Sequence, residues 1–268
     1  MFGAGRRRTR RARWAPRTWR GGAAALTAGL VLVGATACGG GERAGGGDDG
    51  AKGASPAGGT SAPATGAAPG PAPLTERQLT AASLTDGERI GEYTASEYAL
   101  GAPLGEDYTA DPAGCQPLVS LARGATAFDP VAEVHRKVDI PDEMLGLTVS
   151  VQLRSYAGQG ATGVLKALRT AGRDCAGGFT EDRALARAKY LKAEPAKAPD
   201  VGDEAVAYRF TILDVKGELK LYEYLTVVRS GSTTLSFRAE ITGTEDVGGV
   251  PDEIVRTQWR KFRSTGKA

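Results

Sequence analysis

Three cysteines, Cys38, Cys115 and Cys175, constrain what this chain can become more than any other of its 268 residues. Cys38 closes a secretory pattern. An arginine-rich stretch ends at Arg20, Gly21 to Gly34 forms a short apolar run, and Ala35-Thr36-Ala37 supplies small residues directly before the cysteine. The run is too short to span a bilayer, which takes about 20 residues. The small-small-Cys ending resembles the lipobox read by the bacterial lipoprotein signal peptidase, so Cys38 is expected to be lipidated. The alternative is an ordinary cleaved signal in which Cys38 is incidental. Arg6-Arg7-Arg8 and Arg10-Arg11 leave the general secretory and twin-Arg routes both open.

An exported chain meets an oxidising compartment, where cysteines pair. With Cys38 taken by lipid, Cys115 and Cys175 have a single intramolecular pairing, closing a loop of 60 residues. Two free thiols or an intermolecular bridge are the competing outcomes. Two acyl chains on Cys38 would make a durable anchor where one holds marginally. The expected location is therefore the extracytoplasmic face of the cell membrane, with the membrane itself as a partner through the lipid.

Charge excludes another class of partner. Residues 1–37 hold eight of the 34 Lys and Arg and none of the 31 Asp and Glu. Residues 38–268 carry the remaining 26 basic residues against 31 acidic ones, a net charge near −5. Nucleic-acid binding needs a clustered basic surface, so no nucleic-acid partner is expected.

Composition divides the rest. Residues 39–73 are almost wholly Gly, Ala, Pro, Ser and Thr; such a segment has little to bury and reads as a disordered linker, roughly 30–35 Å in average span. The division is thus 1–37 signal peptide, 38–73 lipidated cysteine and linker, and 74–268 extracytoplasmic domain.

Strand signals dominate that domain. Leu147, Val149, Val151 and Leu153 alternate with polar residues, the period of a half-buried strand. A second strand runs through Val206, Tyr208, Phe210 and Ile212, a turn at Lys216-Gly217 leads to a third from Leu219 to Arg229, and Ser230-Gly231-Ser232 turns into Leu235 to Ile241. Short turns between consecutive strands make an antiparallel meander. Helices are expected over Thr162–Arg173, with Cys175 in the same phase, and from Pro251-Asp252-Glu253 onward with Ile254, Val255, Trp259 and Phe262 inward. Another covers Gln116–Arg123. The class is α+β: an antiparallel sheet with helices packed on one face and one disulfide.

Several motifs suggest chemistry and fall to plainer readings. Gly158-Gln159-Gly160-Ala161-Thr162-Gly163 matches a dinucleotide fingerprint, but the strand before it alternates, unlike a buried parallel strand, and Glu181-Asp182 is expected in a polar loop, not at the tip of a second buried strand. It reads as a strand-to-helix turn. His135 is the only histidine, which rules out a multi-histidine metal site, and no Gly-x-Ser-x-Gly elbow accompanies it. Ser264-x-x-Lys267 lies in the C-terminal tail. Adjacent acid pairs recur throughout and do not provide carboxyls facing one another across a cleft. No enzyme activity and no cofactor are expected.

The sheet carries the better clue. In the third strand Leu219, Leu221, Leu225 and Val227 point to one side, while Tyr222, Tyr224 and Val228 point to the other. Either residues 74–113 cover that second face, or it forms a cleft or partner surface where tyrosine supplies amphipathic contact. Tyr208, Tyr222 and Tyr224 are the candidate ligand contacts.

Cys115-Gln116-Pro117-Leu118, the strand Leu147–Tyr156, the helix Val164–Cys175, Gly202-Asp203-Glu204-Ala205-Val206 and Val227-Val228-Arg229-Ser230-Gly231 together resemble actinobacterial sensor-like lipoproteins and the extracellular sensor domain of PknH-type Ser/Thr kinases. The resemblance implies a disulfide-stapled antiparallel sheet flanked by helices, with a ligand-binding cleft. This chain has one cysteine pair in the domain where the kinase sensor has two, and it has no kinase segment. The expected function is a membrane-anchored, ligand-binding, sensor-like lipoprotein with a small-molecule or lipid ligand. A structural lipoprotein docking an envelope protein is the alternative, and an envelope hydrolase a third reading. A tyrosine-lined pocket, a flat apolar patch and convergent buried carboxylates would favour them in that order.

Overall fold

Among the described residues, runs of two to eleven residues pair into one sheet of ten strands, every neighbouring pair antiparallel. The computed structural model describes residues 71–101, 108–119, 126–141, 146–183, 186–214, 216–241 and 243–265. All of them lie in one compact unit, Ser61–Ala268. The signal peptide, Cys38 and nearly all of the linker lie outside the described residues, as does the second half of the Gln116–Arg123 helix.

The helices are α1 (Glu76–Ala82), α2 (Gln116–Val119), α3 (Gly160–Asp174) and α4 (Asp252–Thr265). The strands are β1 (Arg89–Ile90), β2 (Tyr93–Ser96), β3 (Thr109–Asp111), β4 (Ala132–Asp139) and β5 (Leu147–Ser155), followed by β6 (Phe179–Arg183), β7 (Ala186–Pro195), β8 (Glu204–Leu213), β9 (Lys220–Ser230) and β10 (Thr233–Ile241). They order as β1-β2-β4-β5-β10-β9-β8-β7-β6-β3. Strands β8 to β10 form the expected meander, which β7 and β6 extend, so Glu181-Asp182 lies in a strand with Glu181 fully buried instead of in a loop; β10 then pairs with β5, joining the two halves of the chain.

The class is α+β as expected, but the helices do not share one face. Leu153, Leu235 and Val228 lie in register across β5, β10 and β9. With Val149, Val151 and Phe237 they form a core with Leu79 of α1 and Ile254, Val255 and Phe262 of α4. The intervening positions Val206, Tyr208, Phe210, Leu225 and Val227 pack with Leu118 of α2 and Leu165 and Leu168 of α3. Because β8 and β9 bury apolar residues on both sides, each side needs its own helical layer.

Local chemistry sets the helix ends. Thr75 caps α1 in a reciprocal box, its Oγ1 accepting from Gln78 N–H at 3.3 Å while Gln78 Oε1 accepts from Thr75 N–H at 2.9 Å. Gln258, fully buried, joins α4 to the end of α1: it accepts from Leu84 N–H at 3.0 Å and donates to Ala82 O at 2.8 Å. Trp259 therefore sits half-buried at the edge of this core, stacked on Phe262, instead of plugging it.

Cys115 and Cys175 are bonded, with Cα atoms 5.8 Å apart, a normal disulfide span. The bond fastens α2 to the end of α3. The Gly158–Gly163 motif is a turn into α3 and a packing device. A side chain at Gly163 would strike the Phe128 ring, and β5 ahead of it runs antiparallel to both β4 and β10. Gly202 has φ of +78° and lies where a Cβ would meet the Arg229 carbonyl at 2.6 Å, which glycine alone tolerates. The next residue, Asp203, accepts from Gly231 N–H at 2.7 Å and holds the β9–β10 turn.

Candidate functional site

Strand register decides which tyrosines meet. Thr226 of β9 lies opposite Ala207 of β8 and Phe237 of β10, and Tyr224 opposite Arg209 and Ala239. These residues face the α1 and α4 side. On that side α1 lies over β4 and β5, and α4 contacts β1. The part over β8 and β9 borders a cavity of about 730 Å³.

Sheet residues form its floor: Tyr93, Leu147, Ala207, Tyr224 and Thr226, all buried. Pro199 and Lys197 come from the β7–β8 connection, and Glu245, Val247 and Val250 from the β10–α4 connection. Asp252 and Val255 add the first turn of α4. Lys197, Glu245 and Asp252 are exposed, so the charged groups stand at the rim.

Tyr224 pins the β10–α4 connection beside this cavity. It is 1% exposed, its hydroxyl donates to Asp246 Oδ1 at 2.5 Å, and it accepts from Gly248 N–H at 3.2 Å. Arg209 donates to the other Asp246 oxygen and, at 2.9 Å, to Glu194. Burial first and the Asp246 carboxylate second push the Tyr224 pKa up to about 12. The Arg209 guanidinium, followed by the Tyr224 hydroxyl, holds Asp246 below the usual carboxylate range.

The three tyrosines expected as ligand contacts do not converge. Tyr222 lies under the Arg209 guanidinium, 4.8 Å from ring centre to Cζ, and is not part of the cavity wall. Tyr208 borders the cavity, but its ring is on the α3 side of the sheet, against Gly172, and its hydroxyl donates to Leu168 O at 3.1 Å. Residues 208 and 224 differ in strand phase, so adjacent strands send them to opposite faces. Tyr224 alone remains at the site.

Sequence reading missed Thr226. It is 5% exposed and lines the floor, and among the described residues its hydroxyl has no hydrogen-bond partner. Its signal was its place as the one hydroxyl within Leu225-Thr226-Val227-Val228.

Two polar groups elsewhere bear on catalysis. Glu133, between His135 at 3.8 Å and Arg154 at 3.0 Å, is lowered to about 2 by the imidazole foremost and then, against the opposing effect of burial, by the guanidinium. A carboxylate so acidic exchanges no proton near neutrality and makes a poor general acid or base. Buried carboxylates do converge at one place: Tyr190 donates to Glu181 at 2.7 Å and to Glu223 at 3.1 Å, and Arg238 pairs with Glu223 and donates to Tyr190 at 2.7 Å. That group lies on the α3 side and lines no part of the 730 Å³ cavity. Among the described residues no cluster of three or more metal-ligating side chains occurs, and no helix is long and apolar enough to cross a membrane.

No family model and no curated protein matches the chain. Among solved structures it is similar to the extracellular domain of PknH from Mycobacterium tuberculosis: 12% identity over 74% of this chain and 99% of that chain, with a TM-score of 0.49. An uncharacterised protein (Rv0999 ortholog) from Mycobacterium smegmatis is similar at 13% identity, 66% of this chain, 88% of that chain and a TM-score of 0.34. Both likenesses are distant. They assign no role to any residue here.

Proposed function

We propose that this chain is a lipid-anchored extracytoplasmic protein whose domain binds a ligand in the cavity beside Tyr224. The observation that carries this reading is the cavity itself: about 730 Å³, within the range of small-molecule sites, with a buried sheet floor and charges confined to its rim. The buried disulfide supports an oxidising compartment, and the Arg-rich, apolar, small-small-Cys38 start supports export and anchoring. We read the domain as a binding module without chemistry of its own. The one carboxylate pair brought together in the interior is bound up with Tyr190 and Arg238.

Purification of the anchored protein from its host, followed by mass spectrometry of what co-purifies, tests the binding half. Ala207→Leu, which places a larger side chain on the cavity floor, is expected to remove the retained compound while the domain stays folded. Retention by that variant at the parent level would overturn the site. Fractionation tests the anchor: Cys38→Ser is expected to leave the membrane fraction or to stay uncleaved, and a mature, detergent-dependent Cys38→Ser protein would overturn it.

A further inference from the structure

We propose that the cavity takes a single-chain zwitterionic amphiphile, its hydrocarbon chain on the sheet floor and its head at the rim. The inference rests on the ligand-binding reading above and adds the class of ligand.

The floor sets the chemistry of the ligand's body. Leu147, Ala207 and Val255 are apolar and buried, with Ile241 and Val250 beside them. The Tyr224 hydroxyl is engaged by Asp246 and Gly248. One hydrogen-bonding side chain is left facing the space, Thr226, buried to 5% exposure and without a partner among the described residues. Away from the rim, a sugar or peptide would strip water from many polar groups and find few side-chain partners on the floor, at a net cost. A hydrocarbon chain lies there against Leu147, Ala207, Ile241, Val250 and Val255, and a single ester carbonyl or hydroxyl can meet Thr226.

The rim sets the chemistry of the head. Lys197 comes from the β7–β8 connection, whereas Glu245 and Asp252 come from the β10–α4 side. All three are exposed. Asp252 already pairs with Arg256 of α4 at 3.1 Å, which leaves Lys197 on one connection and Glu245 on the other, one charge of each sign, to suit a head with both a phosphate and an ammonium. Among the described residues of the rim, a purely anionic head would meet Lys197 but leave Glu245 without a cation.

Residues 61–268, the compact unit, would be titrated calorimetrically with decanoyl and lauroyl lysophosphatidylethanolamine below their micellar concentrations. One-to-one binding is expected, tightening about fourfold per added CH₂ until the floor is filled. Lauroyl lysophosphatidylglycerol is expected to bind more weakly. Thr226→Val, which removes only the hydroxyl, is expected to weaken binding about 2–10-fold, and Ala207→Leu to abolish it. In the unaltered protein, methyl resonances of Leu147, Ile241 and Val255 are expected to shift, while those of Leu118 and Leu165 on the opposite side stay still. That measurement holds even if a variant unfolds. Absence of binding, or shifts confined to the opposite core, would overturn the proposal, and equal affinity for the glycerol head would overturn the assignment of the head. If lysolipids fail while a host compound is still lost from Ala207→Leu, the class of ligand is wrong and the cavity reading stands. If nothing is retained by any route, both fall.

Discussion

The Tyr224 hydroxyl donates a 2.5 Å hydrogen bond to Asp246, 22 residues further along the chain. That bond ties the centre of the sheet to the connection forming one side of the cavity. Arg209 holds the second Asp246 oxygen, so the connection is fixed from two strands at once.

The tie has a titration signature. Tyr224, raised from 10.0 to about 12, is neutral in the folded protein. A raised pKa contributes stability that is present below pH 10 and lost as pH climbs through about 12. Asp246→Asn removes the carboxylate's share of that shift, so the Tyr224 pKa is expected to fall part of the way back, burial retaining the remainder. The ring ¹³Cζ shift followed against pH reports it; an unmoved midpoint would show that Asp246 does not act on Tyr224.

Glu133 gives the acid limb. Its carboxyl lies at about 2 instead of 4.5, held there by His135 and Arg154. A depressed acid contributes stability present above pH 4.5 and lost as pH falls through about 2. Glu133→Gln is expected to cost about 1–3 kcal/mol at neutral pH and to flatten the decline between pH 4.5 and 2. Urea unfolding at a series of pH values would settle it, and a parallel loss in both proteins would refute it.

Arg238 is a buried cation on the α3 side, paired with Glu223 and donating to Tyr190 and to Val119 O. Removing one partner from a buried ionic group leaves the others uncompensated. Arg238→Ala is expected to cost about 3–5 kcal/mol. Its neighbour Glu240, half exposed and 3.2 Å from Arg238, is a surface partner, and Glu240→Ala is expected to cost no more than about 1 kcal/mol. Comparable losses in thermal unfolding would contradict the distinction.

The Cys115–Cys175 bond closes a 60-residue loop. Loss of that closure in the double serine variant is expected to lower stability by about 4 kcal/mol on the chain-entropy account. Denaturant midpoints of the variant and the oxidised parent would measure it; equal midpoints would show that packing alone joins α2 to α3.

By itself the sequence determined the central strands and the two long helices, and left α1, β1 to β3, β6 and β7 unread. The period-two runs in Leu147–Leu153 and Val206–Ile212, the turns at Lys216-Gly217 and Ser230-Gly231-Ser232, and the acidic first turn after Pro251 all act through neighbouring residues, and each reappears close to its expected place. The Cys115–Cys175 pairing also followed, from the expectation that lipid takes Cys38 and leaves two cysteines. Tertiary structure decided what covers each face. Alternation states that β8 and β9 have two sides; it is silent on which helix reaches which, because helix docking depends on contacts far apart in the chain, such as Gln258 with Leu84. That is why the helices divided between two faces and why Tyr208 separated from Tyr224. It is also why Thr226, ordinary within its own strand, became the unpartnered hydroxyl on a cavity floor: its surroundings come from β8 and from the connection into α4, brought together only when the sheet forms.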